Sequence, residues 1–212
     1  YEMTSSLVGS EMCIRDRFLY RADRDSYDYV YSVDDLADLK GRKFQKKRNH
    51  VNHFRAEHSQ FELQNLTGGN FSAAQRMVGE WYRARMQADP TGDYMMESIA
   101  MSRAFRHYEG LQMESAVLVE NGEILAVTMG SRLWSDTFDI HFEKAREDVD
   151  GAYAAVNCEF ARYLRLKYPN LRYLNREDDV GLAGLRKAKL SYNPHHMVEK
   201  SWAYLAEDFH GD

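Results

Sequence analysis

Cysteine is nearly absent from this 212-residue sequence: Cys13 and Cys158 stand alone, with no pairing pattern. That excludes a disulfide framework and a cysteine-rich metal site, and it fits a reducing compartment. There are three prolines and no serine- or glycine-rich tract, so nothing reads as a low-complexity linker. No apolar run approaches the roughly 18 residues needed to span a bilayer. The net charge is −5, which gives no global signature of nucleic-acid binding. Internal repeats are missing, and so is the glycine fingerprint of a doubly wound nucleotide-binding sheet. What remains is ordinary globular composition, 44% hydrophobic and 29% charged, enough for one large domain or two small ones.

The first residues stand apart. TSSLVGSEMCIRDR resembles translated sequencing-adapter sequence, and it has no sustained apolar region of the kind a signal peptide needs. Residues Tyr1–Arg17 are therefore expected to be non-native, with the natural protein beginning further upstream and this chain an N-terminally truncated piece of it.

Periodicity sketches the rest. Tyr27–Val33 alternates aromatic and β-branched residues and predicts a strand. Asp34 or Asp35 then caps a short helix through Leu39, and Lys43–His58 predicts a second helix. A strand is expected over Phe61–Leu66, and helices over Asn70–Ala88 and Tyr94–Glu109. Ser115–Glu120 and Glu123–Met129 flank Asn121-Gly122, the strongest short-range hairpin signal. Thr137–Phe142 extends the meander. Asp148–Lys167 is an amphipathic helix carrying Tyr153, Val156, Phe160, Tyr163 and Leu164 on its apolar face. Leu171–Leu174 predicts a strand, Gly181–Leu190 a helix and Met197–Tyr204 a last strand. Helices mixed with an antiparallel meander give an α+β fold with a mixed sheet.

The segment Tyr173–Tyr192, YLNREDDVGLAGLRKAKLSY, concentrates titratable groups in a strand–turn–helix unit. Such groups gather on loops held by a rigid scaffold. Capping alone would account for Asp179; three acids in succession exceed what a cap needs, which points to Glu177 and Asp178. Arg186 and Lys189 share a helix face, either facing a site or solvated. Asn157 lies on an apolar face and needs a hydrogen-bond partner, such as Asn175, or a substrate. Glu159 flanks that face. Alternation puts His141 and Glu143 on one side of their strand and Lys144 on the other. The run KGRKFQKKRNH carries Lys40, Arg42, Lys43, Lys46, Lys47 and Arg48 with no acid among them, a surface for polyanions or anionic headgroups. The pairs His50/His53 and His195/His196 lack a third ligand at zinc-type spacing, so no metal centre is expected.

LKGRKFQKKRNHVNHF, HFEKA, DGAYAAVNCEFA and YLNREDDVGLAGLRKAKLSYNP together resemble the phosphatidylglycerol lysyltransferase C-terminal-domain family. The resemblance runs from about Tyr27 to Lys200. It implies a GNAT-like tandem acyltransferase fold, here residues 18–92 as the remainder of a first module and 93–212 as a second. It also implies transfer of an amino acid from aminoacyl-tRNA to a lipid or other polar acceptor. No cofactor is expected, and the location would be cytoplasmic, possible contact with an anionic membrane surface included.

An already activated ester needs carboxylates for its ammonium and cations for phosphate and oxyanion. On that basis Glu143, Glu177, Asp178 and Lys189 are the expected catalytic residues. His141, Asn157, Glu159, Asn175, Arg176, Arg186, Lys187 and Tyr192 are expected to bind substrate, and Lys43, Lys46, Lys47 and Arg48 the polyanion. Two alternatives stay open. An acyl-CoA enzyme would cradle pyrophosphate on Gly181-Leu182-Ala183-Gly184, although Asp178 stands where that turn usually carries Gln or Arg. A non-catalytic RNA- or anion-binding module would need only the basic run.

Overall fold

A computed structural model describes residues 18–205; the expectation for Tyr1–Arg17 lies outside the described residues. The strands are β1 (Phe18–Ala22), β2 (Asp28–Ser32), β3 (Glu62–Asn65), β4 (Glu114–Glu120), β5 (Glu123–Arg132), β6 (Thr137–Ala145), β7 (Tyr173–Asn175), β8 (His196–Val198) and β9 (Ser201–Leu205). The helices are α1 (Val33–Asp38), α2 (Gln45–Glu57), α3 (Phe71–Ala88), α4 (Met95–Arg106), α5 (Ala152–Lys167) and α6 (Ala183–Leu190). Seven strands form one sheet in the order β3-β4-β5-β6-β7-β2-β8, and β1 pairs with β9 in a separate ribbon. The large sheet takes β2 and β3 from before Gly92 and β4 to β8 from after it.

The hairpin β4–β5 turns on Asn121 (φ 51°) and Gly122 (φ 81°), the two left-handed residues that a twisted two-residue turn demands. β6 continues antiparallel to β5, and then α5 carries the chain across so that β7 lies parallel to β6. A meander, a crossover helix, a parallel strand and a further helix make this an α+β fold with a mixed, largely antiparallel sheet.

Helices cover both sheet faces. On one, α1 and α5 bury Leu36, Phe160 and Leu164 against Tyr31, Phe138 and Ile140, while α2 adds Phe54 beside Ala155 and Val156. On the other, α3 and α4 bury Met77, Tyr82, Met101 and Phe105 against Val117, Val127 and Met129. Small residues of α5, among them Ala152, Ala155 and Ala161, let that helix sit close to the sheet.

Three local expectations change. The first helix is capped by Ser32, whose Oγ accepts from the Asp35 amide, not by Asp34 or Asp35. Met197–Tyr204 divides into β8 and β9. β6 runs to Ala145, three residues past Phe142, and its register against β5 shifts between Met129 and Gly130.

Gly130 is tied to that shift, because a Cβ there would collide with the Asp139 carbonyl and the Phe138 ring. Gly130→Ala is expected to lower unfolding free energy by about 1–3 kcal/mol, the usual cost of overpacking. Gly79 lies in mid-α3 with nothing within 4 Å of its missing Cβ; Gly79→Ala should raise stability by about 0.5–1 kcal/mol through helix propensity. Urea unfolding of both variants checks the pair of signs.

Candidate functional site

β6 and β7 stay together for three residue pairs, Thr137–Asp139 with Tyr173–Asn175. β6 then follows β5 to Ala145, whereas the chain leaves β7 at Arg176. We call the parting of the two strands the notch; the charged residues of the late segment lie beside it.

The register shift sorts these groups between the two faces. Without it, His141 and Glu143 would project together. With one extra residue in β6, Glu143 points to the α5 face and bonds Arg176. His141 points to the α4 face, where it borders a cavity of about 470 Å³ with Arg103, His107 and Met113. Lys144 also lies on the α3–α4 side, bonding Glu97 over the Trp81 ring. The expectation that His141 and Glu143 share a face is therefore corrected, and the bulge is the reason.

The α5 face of the notch is electropositive. Arg176 donates to Glu143 Oε1 at 2.7 Å, with side-chain exposures of 15% and 8%. Its guanidinium stands 5.3 Å from the Tyr192 ring centroid and 5.9 Å from that of Tyr31. Lys47 reaches in from α2, with Nζ 4.0 Å from the Tyr192 centroid. Burial, and then the Arg176 charge, pull Lys47 down to about 8. Burial pushes Tyr192 up to about 12 and Tyr31 higher still. Two cations against one carboxylate leave this face net positive at neutral pH.

The α4 face is acidic. His141 Nδ1 lies 3.1 Å from Glu177 Oε1 and 3.8 Å from Asp139 Oδ2, while Nε2 lies 2.8 Å from Ser131 Oγ. Asp28 accepts from Lys200 at 2.5 Å and from Asn175 Nδ2 at 3.2 Å. Burial, then the Glu177 charge, raise Asp139 to about 6. Burial also raises Asp178.

Between the faces, the Arg176–Asp179 turn is clamped by α6. Lys189 Nζ donates to the main-chain oxygens of Arg176 (2.5 Å), Glu177 (3.2 Å) and Asp178. With all three protons engaged, Lys189 positions the turn and has none left for an oxyanion. The fully buried Asp179 carboxylate accepts from Tyr29 Oη (2.5 Å), from Arg186 Nε (2.9 Å) and Nη2 (2.8 Å), and from the Gly181 amide (3.0 Å). Arg186 also reaches Asp25 at 2.6 Å. Asp179 is thus an anchor rather than a helix cap, the capping position of α6 being Leu182. Arg186 is engaged by Asp179 and Asp25 instead of facing a substrate.

Other expected residues lie elsewhere. Glu159 ties α2 to α5 through Arg55 and Arg162. Lys187 is exposed on α6. Asn157 does not lock Asn175; its Oδ1 is buried with no hydrogen-bond partner among the described residues, while Asn175 bonds Asp28 and the Glu177 amide. In the basic run, acids of α1 neutralise Lys40 through Asp38 and Lys43 through Asp35. Arg48 bonds the oxygens of Leu39 and Gly41, and Lys46 is exposed. Lys47 is the member that enters the notch. Sequence reasoning missed Asp28, Tyr31, Ser131 and Asp139. The one available signal was alternation, which sets Asp139 two places before His141 and Tyr31 two after Tyr29.

Removing the buried Asp179 carboxylate strands Arg186 and Tyr29, so Asp179→Ala should cost about 3–5 kcal/mol in urea unfolding. Hydrogen bonding from Arg186 holds this carboxyl well below the ordinary range. A depressed carboxyl stabilises the fold above its unfolded pKa of about 4, and that contribution is lost as pH falls through the folded value. The advantage of the wild type over Asp179→Asn should accordingly hold at neutral pH and shrink below about pH 4. A constant difference between pH 7 and 2 would contradict it.

Comparison with known proteins places the chain. An uncharacterized protein of Mycoplasmoides gallisepticum is 23% identical over 176 residues, which are 82% of this chain and 55% of that protein. A conserved protein of unknown function from Bacteroides thetaiotaomicron is 39% identical, with a TM-score of 0.85 over 93% of this chain and 66% of that one. The L-PGS structure from Bacillus licheniformis shares the fold at 15% identity, with a TM-score of 0.64 over 92% of this chain and 64% of that one. The chain spans about half the length of the curated relative it matches. The family model described as phosphatidylglycerol lysyltransferase, C-terminal, matches residues 10–204. The chain belongs to that family.

Proposed function

We propose that this domain transfers an aminoacyl group from aminoacyl-tRNA to a polar acceptor, a phosphatidylglycerol-like headgroup being the acceptor that the family description suggests. The observation that carries the reading is the opposed charge of the notch. Arg176 and Lys47 make one face positive, and Asp28, Asp139, Glu177 and Asp178 make the other acidic. An aminoacyl ester has the same two-ended character, with phosphates on the tRNA side and an ammonium on the amino acid.

The donor ester is already activated, so the site's task is positioning and charge stabilisation. Carboxylates of the acidic face hold the α-ammonium, with Asp178 at its half-exposed edge. The acceptor hydroxyl attacks the ester carbonyl. A carbon–oxygen bond forms to the acceptor, and the bond to the ribose oxygen breaks. Glu143 takes the acceptor proton and passes it to the departing ribose oxygen, which leaves as a hydroxyl. Arg176 and Lys47 face the oxyanion. Lys189 and Arg186 act through the turn they hold. Peripheral attraction to an anionic membrane would bring the acceptor within reach; among the described residues no helix is long and apolar enough to cross a bilayer.

The acyl-CoA alternative is weaker on local chemistry. Asp25 lies against the glycine turn, 2.9 Å from where a Gly181 Cβ would be, and Asp179 sits beneath it. A pyrophosphate there would meet two carboxylates.

Labelled aminoacyl-tRNA mixed with phosphatidylglycerol vesicles and the full-length protein should yield labelled lipid in a salt-sensitive manner. Arg176→Ala is expected to cut the rate about 10²–10³-fold, the usual cost of an oxyanion donor. Glu143→Gln should cut it about 10²-fold or more, as for loss of a general base. Absence of both transfer and tRNA binding at low salt would remove the proposal. Because Lys47 loses its proton near 8, the positive face weakens and transfer should fall as pH rises through that value. Burial draws Lys189 down to about 8 as well, so Lys47 is tested at pH 7, where Lys47→Arg should keep transfer and Lys47→Ala should lose it about tenfold or more; equal rates would exclude Lys47 from the step.

A further inference from the structure

We propose that Asp139, His141 and Glu177 form a binding site for a first-row divalent cation, Zn²⁺ or Mn²⁺ in character. The inference rests on the geometry of these side chains; it takes Asp139 and Glu177 from the acidic face described above, so that Asp28 and Asp178 remain for a substrate ammonium. One ligating atom from each residue lies within 4.8 Å of the others. His141 Nδ1 is 3.1 Å from Glu177 Oε1 and 3.8 Å from Asp139 Oδ2. Tetrahedral ligands about 2.1 Å from one ion stand roughly 3.4 Å apart, so small side-chain movements suffice to close on it.

Two further observations favour a cation over a plain hydrogen bond between His141 and Glu177. Ser131 Oγ lies 2.8 Å from the outer ring nitrogen, Nε2. That hydroxyl can donate to Nε2 or accept from it; with an ion on Nδ1 it would accept from Nε2–H, the support that ligating histidines usually have. Asp139 Oδ1 is fully buried and has no hydrogen-bond partner among the described residues. A hydrogen bond from His141 to Glu177 leaves that oxygen unsatisfied, whereas an ion on the carboxylate offsets its burial.

An imidazole and two carboxylates suit a borderline cation better than Mg²⁺, which favours an all-oxygen octahedron. Three protein ligands leave a coordination position open. His141 and Ser131 border the cavity of about 470 Å³ beneath α4. A cation held there leaves Asp178 free for a substrate ammonium.

Calorimetry of the metal-stripped, full-length protein with Zn²⁺ and with Mn²⁺ tests the site. The expected result is one ion per chain for at least one of the two. Asp139→Asn and His141→Gln should each weaken that binding about tenfold or more, since even supporting residues are worth 10–100-fold. The competing surface pair is His195 and His196, whose Nδ1 atoms are 2.9 Å apart; the double variant H195Q/H196Q should keep the site. In parallel, the ion should raise the melting temperature of the wild type but not of Asp139→Asn, whose own melt shows whether it folds. No binding by either ion, binding unchanged in both ligand variants, or binding lost with H195Q/H196Q would overturn the proposal. Each of those results is read without any assay of transfer from tRNA, so failure of the ion site and failure of the transfer reading are told apart.

Discussion

Lys189 brings a largely buried ammonium to three consecutive main-chain oxygens, and the notch keeps its shape because of that contact. The turn it holds includes Glu177 at φ 55° and leads to Val180 at φ 45°. Left-handed backbone at such residues costs energy and persists only where the surroundings over-determine it. Lys189 supplies that from above, and Asp179, locked by Arg186 and Tyr29, supplies it from below. The result is a fixed end to β7 after three pairs, while β6 runs on. Arg176 then projects to one face of the sheet and Glu177 to the other.

A second constraint comes from β6. The register shift opposite Gly130 separates His141 from Glu143, so the notch has two chemically distinct mouths rather than one mixed cluster. The Arg176–Glu143 pair at the positive mouth is mostly withdrawn from water. Desolvating such a pair costs about as much as its attraction returns, so it is a poor stabilising device. Its aromatic surround, Tyr31 and Tyr192, excludes water and strengthens whatever charge interaction a substrate makes there.

Much of the fold was legible in the sequence. Asn121-Gly122 specified its hairpin because few other pairs accept two left-handed residues. The apolar period of Asp148–Lys167 marked the long helix, and Leu171–Leu174 marked the strand that follows it in the mixed sheet. The site was legible in composition but not in geometry. Parity along β6 failed because a bulge leaves no signature in alternation. The lysines of KGRKFQKKRNH read as an unopposed cationic surface, yet the counter-charges of Lys40 and Lys43 sit on α1, earlier in the chain. Lys189 looked free because its partners are main-chain oxygens, which a residue list cannot display. Asp139, His141 and Glu177 converge across a strand parting, and no spacing rule spans that separation.

Under the proposed function a two-ended substrate enters the parting of β6 and β7, ammonium toward the acidic mouth and phosphate side toward Arg176 and Lys47. A crystal structure of the full-length protein with a hydrolysis-resistant 3′-aminoacylamido-adenosine 5′-phosphate tests it most directly. The predicted density lies in the notch, its amino group within hydrogen-bond reach of the acidic carboxylates and its phosphate nearer the cationic face. Ligand density at the Gly181 turn, or anywhere that leaves Arg176 and Glu143 untouched, would contradict the account.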